Sequence, residues 1–88
     1  MRSDAKTLAE RFSGKYLPAA SGCWDWLAFK DHGYGKLTHF NKCLYAHRVA
    51  YELYIGPIPV GMTVDHECRN TACVNPAHLR VMSLVENI

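Results

Sequence analysis

Apolar residues recur at helical spacing in "SDAKTLAERFSG" and again in "AHRVAYELYIGP". In the first stretch Ala5, Leu8 and Phe12 form a narrow stripe, Ser3 can cap it and Gly14 can stop it. In the second, Ala46, Val49, Ala50 and Leu53 share a face until Gly56-Pro57 ends the pattern. Between these helices "KYLPAASG" reads as a loop. "CWDWLAF" and "YGKLTHF" read as strands, rich in aromatics and bounded by Asp31, Gly33 and Gly35. A turn at Asn41-Lys42 would lead the second strand into "CLYA" and make a hairpin. After the loop "GPIPVG", "MTVDH" and "LRVMS" read as two short strands flanking an irregular segment. "SLVE" then offers a capping box, Ser83 with Glu86, for a last helix. The layout is α+β.

A chain of 88 residues, 49% hydrophobic and 20% charged, has the composition of one small globular domain. A core of that size is often helped by a metal or by disulfides. No apolar run is long enough to span a bilayer, and the N-terminus lacks the apolar block of a secretory signal. An intracellular, cytoplasmic protein is therefore expected, in which four cysteines serve as thiols or metal ligands. The net charge of +2 says little about partners. Lys30, Lys36, Lys42 and Arg48 could together face an anion, although an ordinary solvated face explains them as well.

The segment "HECRNTACVNPAHL" changes the picture. Cys68, Cys73 and His78 are evenly spaced in one loop, and thiolate with imidazole is a zinc ligand set. Asn75-Pro76 suits a tight turn between the last two. A structural zinc site normally closes with four protein ligands, so one more is needed. Cys23, after Gly22 in a loop-like context, is a better candidate than Cys43, which falls in an expected strand. His66 is the other possibility. The spacing does not fit the finger whose helix carries a histidine pair.

"VDHECRNTACVNPAHL" followed by "SLVENI", with "GCWDW", "YGKL" and "YAHRVAYELYIGPIP" upstream, resembles the His-Me finger (ββα-metal) nucleases. The likeness is closest to their zinc-bearing HNH and His-Cys box homing endonuclease types, including phage and mobile-element proteins. It covers residues 22–88, with residues 1–21 as an N-terminal helix and loop of the same single domain. The resemblance implies a small zinc-stabilised ββα-metal finger with an N-terminal antiparallel hairpin and a central helix. It implies an endonuclease hydrolysing phosphodiester bonds of double-stranded DNA, by nicking or by double-strand cleavage, with no membrane and with a possible homodimer.

The same resemblance distributes the roles. His66 becomes the general base that deprotonates a water. Cys23, Cys68, Cys73 and His78 become the structural Zn²⁺ ligands. Asn87 becomes a ligand of the catalytic divalent cation, Mg²⁺ or another, with Asp65 as a candidate second ligand. Neutral imidazole suits the base, and its second ring nitrogen needs an orienting partner, often a main-chain carbonyl. Arg48 or Lys36 would sit near the scissile phosphate, the plainer account of Arg48 being an i,i+4 ion pair with Glu52. His39 and His47 read as surface or structural residues, and Trp24 and Trp26 as core or sheet-face residues. DNA contact is expected from the hairpin, through Lys36, Thr38, His39, Asn41 and Lys42 as well as Arg48, with about half of these on the DNA side.

Two features depart from the family pattern. The sequence stops at Ile88, one residue past the expected cation ligand, and its positive charge is low for a tight DNA binder. The competing reading is a non-catalytic zinc-stabilised DNA-binding or interaction module, or a fragment of a larger nuclease. Retention of both His66 and Asn87, which the zinc does not need, favours catalysis.

Overall fold

The computed structural model describes residues 7–83. The expected cap at Ser3, the residue Ala5, and the closing helix with Glu86 and Asn87 lie outside that range. The first helix, α1 (Leu8–Phe12), starts at Thr7 rather than Ser3. Thr7 and Glu10 form a reciprocal capping box: the Glu10 N–H donates to the Thr7 hydroxyl at 3.2 Å, and the Thr7 N–H to the Glu10 carboxylate at 2.9 Å. Its one buried residue, Phe12, packs on the Trp26 ring at 5.4 Å.

"KYLPAASG" is not wholly a loop. Tyr16–Pro18 forms β1, antiparallel to β2 (Trp24–Trp26). The Tyr16 ring stacks on Trp24, 4.7 Å between centroids, and this contact holds a strand too short to show a period in the sequence. "CWDWLAF" is correspondingly shorter than expected and ends at Trp26. The Trp26 indole is fully buried, and its Nε1–H donates to the carbonyls of Phe29, at 3.1 Å, and Lys36, at 3.2 Å. The chain bends around it, which leaves Leu27 and Phe29 exposed. Gly35 is the other half of this contact. A Cβ there would lie 2.6 Å from the Trp26 ring, closer than the packing allows.

A three-stranded sheet follows, in the order β3 (Lys30–Asp31), β4 (Tyr34–His39), β5 (Lys42–Tyr45). The β4–β5 turn is Phe40-Asn41, one position earlier than expected. Both residues have positive φ, 50° and 65°, as a two-residue hairpin turn matched to strand twist requires. The second helix, α2 (Ala46–Tyr54), buries Ala46, Val49 and Ala50 as the spacing predicts. Leu53 is partly exposed, and His47 is buried with the apolar set.

"MTVDH" and "LRVMS" are strands as read: β6 (Met62–His66) pairs antiparallel with β7 (Leu79–Ser83), from Met62 opposite Ser83 to His66 opposite Leu79. Phe12, Trp26, Leu37, Ala46, Val49, Ala50, Val64, Val74 and Leu79 make the core. The architecture is a small α+β fold, with the β6–β7 hairpin and its Cys/His loop arranged as in a ββα-metal finger. Among the described residues no helix is long and apolar enough to cross a membrane.

Candidate metal centre and active site

The loop between β6 and β7 turns at Arg69, whose φ is 65°, and again in a 3-10 turn at Pro76–His78. Asn75 begins that second turn. Its side-chain oxygen accepts from the Ala77 N–H at 3.0 Å, and its Nδ2 donates to the Gly22 carbonyl at 2.7 Å. The second bond ties the loop to the segment that carries Cys23. Asn70 makes a parallel tie, donating to the Asp25 carboxylate at 2.9 Å. Main-chain bonds from Trp26 to Ala72 and from Val74 to Trp24 complete the seam.

The result brings Cys23, Cys68, Cys73 and His78 together, with their ligand atoms all within 4.8 Å of one another. Cys23 Sγ and Cys73 Sγ each lie 3.6 Å from His78 Nδ1. A zinc tetrahedron with Zn–S of about 2.3 Å and Zn–N of about 2.0–2.1 Å has S···N edges of roughly 3.6 Å, so this donor set fits that ion. Cys43 is exposed on β5 and takes no part.

The thiols are unequal. Burial pushes the Cys73 thiol up to about 12, against hydrogen bonds from the Asn75 and Trp24 main chain. Burial also acts upward on Cys23, but hydrogen bonding with Asn70, Cys73, Ser21 and His78 outweighs it and brings that thiol down to about 7. Metal binding at such a centre releases protons, Cys73 being costlier to ionise than Cys23 without a cation.

Cys73 also faces the other way. Its main-chain oxygen lies 3.1 Å from His66 Nε2. A carbonyl only accepts, so Nε2 carries the hydrogen and Nδ1 carries the lone pair. His66 is 5% exposed at the end of β6, and burial lowers its pKa against the opposing pull of the Cys73 carbonyl and Asp65. The imidazole is therefore neutral near pH 7.

His66 lines a pocket of about 310 Å³ with Tyr34, Tyr45, His47, Arg48, Thr63, Val64 and Asp65. Arg48 is half-buried, and among the described residues no ion pair joins it to Glu52. Sequence reasoning missed His47. Its ring lies 4.4 Å from that of His66 and is 6% exposed. Burial holds it at about 3, reinforced by His66 and Arg48. Its place at the start of α2, one residue before Arg48, gave no periodic signal, because the helical apolar stripe is drawn without histidine.

The hairpin residues divide between two faces. Lys36 pairs with Tyr45 and Thr38 with Cys43, on the side that carries Tyr34 and the pocket. His39 and Lys42 pair with each other on the side of the buried Leu37. Asn41 is in the turn. Lys36 is held by Asp31 at 3.1 Å and lies 4.9 Å from the Tyr45 ring centre.

A ββα-type hairpin with a Cys/His centre behind it and an oriented, neutral histidine in front defines a His-Me finger protein. An HNH endonuclease family model matches residues 44–87, half of the chain, and the chain belongs to that family. The chain is 36% identical over 83 residues to Protein 2.8 of Escherichia phage T7, covering 91% of this chain and 56% of that protein. It is 35% identical over 66 residues to Protein 7.7 of the same phage, covering 74% and 51%. A 42-residue match at 40% identity links it to the uncharacterized gene 5.3 protein of Enterobacteria phage T3, covering 48% and 42%. The chain thus spans about half the length of the curated relatives it matches. No solved structure matches it.

Proposed function

We propose that this chain is a metal-dependent DNA endonuclease domain in which His66 is the general base. The observation that carries the reading is the bond from His66 Nε2 to the Cys73 carbonyl, which leaves Nδ1 as a lone pair in a pocket lined also by Arg48 and Asp65. His66 Nδ1 takes a proton from a water, and the oxygen attacks the phosphorus as the P–O3′ bond breaks. Arg48 meets the charge on the scissile phosphate. Asp65, with Asn87, would hold a divalent cation such as Mg²⁺. When bound, that cation supplies charge neutralisation at the phosphate and at the leaving oxygen. Cys23, Cys68, Cys73 and His78 would hold a structural Zn²⁺, and the loop they close carries the Cys73 carbonyl that His66 Nε2 meets.

The test is nicking of a supercoiled plasmid in Mg²⁺ by wild type and His66→Ala. The variant should lose roughly 10²–10⁴ in rate. It should keep one zinc per chain and its melting temperature, because His66 lies outside the thiol cluster. Release of zinc by His66→Ala would move this residue into the structural site and remove the mechanism. A wild type that binds DNA but never nicks it would favour the non-catalytic module.

A further inference from the structure

The His66 pocket has a neighbour. A second hollow, of about 370 Å³, is lined by Cys43, Leu44 and Tyr45 from β5 and by Arg48, Val49 and Glu52 from α2. Tyr45 and Arg48 line the His66 pocket too, so these two side chains form the ridge between the hollows. Both volumes fall at the low end of the range for small-ligand pockets, roughly 300–1,000 Å³. That is a size for a nucleotide and not for a duplex.

Ridge and hollow differ in chemistry. In the mechanism above Arg48 meets the scissile phosphate. A phosphate diester carries a nucleotide on either side, so when one lies at His66 its neighbour crosses the ridge. Beyond it stands Glu52, whose carboxylate repels a further phosphate and accepts N–H groups. Among the described residues no ion pair joins Glu52 to Arg48, one helical turn away on α2. The rest of the wall is the ring of Tyr45, which is 43% exposed, with the apolar Leu44 and Val49. A flat ring takes the face of a base, and a carboxylate takes its N–H edge. Inside a duplex both faces of a base are stacked and that edge is paired, so the occupant has to be unpaired.

We propose that the second hollow is a base-binding subsite for an unpaired nucleotide beside the scissile phosphate, with Tyr45 against the face of the base and Glu52 at its hydrogen-bonding edge. The inference rests on the nuclease reading and names its substrate as DNA that is unpaired next to the cut. Guanine suits Glu52 best, because its N1–H and N2–H groups lie side by side and match the two carboxylate oxygens. Cytosine and adenine present an amine beside a ring nitrogen that only accepts. Thymine presents its N–H between two carbonyls, which the carboxylate repels. The net charge of +2 fits such a substrate, since stacking and an edge contact supply affinity that few phosphate contacts would give.

Fluorescence anisotropy of the zinc-loaded protein, without divalent cation, tests this apart from cleavage. The probes are a short thymidine strand, the same strand with one central guanine, and each of these paired with its complement. The guanine strand should bind roughly tenfold more tightly than the thymidine strand, the lower end for a bidentate contact because Glu52 is exposed. The two duplexes should bind alike. Glu52→Gln gives the sharper arm. Loss of a negative charge alone would strengthen both single strands equally, whereas loss of the edge contact brings their affinities together. Tyr45→Ala should weaken the guanine strand by roughly tenfold, and Tyr45→Phe, which keeps the ring, should not. Equal binding of the two single strands by wild type, a preference that survives in Glu52→Gln or in the duplexes, or equal losses in the two Tyr45 variants overturns the subsite, and loss of nicking in His66→Ala would still uphold the nuclease. The full pattern in a wild type that nicks nothing upholds the subsite and removes the nuclease reading alone.

Discussion

The two sides of the β6–β7 loop use the same residue types to opposite ends. On one side His78 and three thiols turn inward, and every ligand atom has others of its set within reach. On the other side His66 and His47 are buried, and among the described residues His47 Nδ1 has no hydrogen-bond partner. The first has the donor set of a closed metal centre, and the second lines a pocket. Cys73 belongs to both: its Sγ stands in the cluster and its carbonyl orients His66. The lesson is that burial of a histidine does not by itself tell structure from chemistry. What tells them apart here is the setting of the ring: His78 Nδ1 lies 3.6 Å from two thiols, whereas His66 lines a pocket.

The largest expected effect comes from breaking the closed side. Cys73→Ser, or removal of zinc by a strong chelator, should unfold the chain at ambient temperature, since structural zinc contributes on the order of 10 kcal/mol in small domains. Atomic absorption and a circular dichroism melt would read this. Cys43→Ser, on the exposed face of β5, should change neither. If Cys73→Ser stays folded and still nicks, the carbonyl that holds His66 does not depend on the metal centre, and the coupling between the two sides is lost.

A smaller effect separates the buried histidines by acid. His47 is held at about 3, against 6.5 for a free imidazole. Below pH 6.5 the unfolded chain therefore binds a proton that the folded chain refuses. Stability contributed by the neutral ring is complete above pH 6.5 and is lost as the pH falls toward 3. His66 acts in the same direction. Between pH 7 and pH 5 the His47 contribution is about 2 kcal/mol. Urea midpoints at the two pH values, compared between wild type and His47→Phe at equal zinc content, isolate it. The variant should lose less stability on acidification. Equal losses would mean that His47 titrates normally, and the protection of its ring by burial would have to be abandoned.

Much of this was legible in the sequence, and the failures share a cause. The Cys/His loop, both strands of its hairpin and α2 announce themselves, because ligand spacing, alternation and helical period are local properties. The grouping of Cys23 with the loop across fifty positions was suggested by its Gly22 context and by the family resemblance. It is built by side chains, Asn75 to Gly22 and Asn70 to Asp25, that carry no periodic signal. β1 was missed because one ring contact, Tyr16 on Trp24, defines it. The strand through Leu27 and Phe29 was overextended because the Trp26 indole takes two carbonyls and bends the chain. His47 was read as a surface or structural residue, because its neighbour in space, His66, is distant in sequence.

The smallest effect concerns how nucleic acid approaches the open side. Alternation along β4 and β5 puts Lys36 and Thr38 on the face that continues into the His66 pocket, and His39 and Lys42 on the other. If the hairpin lies on DNA with its pocket face inward, Lys36→Ala should weaken binding a few-fold and reduce the salt dependence by about one counterion, whereas Lys42→Ala should matter less. The loss is limited because Asp31 already holds Lys36, at 3.1 Å, and partly cancels its charge. That ion pair supplies the sharper arm. The Lys36 ammonium beside Asp31 holds its carboxyl below the usual range, so the aspartate is fully charged at every working pH. Asp31→Asn should free Lys36 for phosphate and strengthen DNA binding, the opposite sign to most surface substitutions. Fluorescence anisotropy over a salt series, without divalent cation, measures all three variants apart from cleavage. Equal losses from Lys36→Ala and Lys42→Ala, with no gain from Asp31→Asn, would mean that DNA meets the hairpin by its edge or its turn, and the pocket face would lose its place as the path to His66.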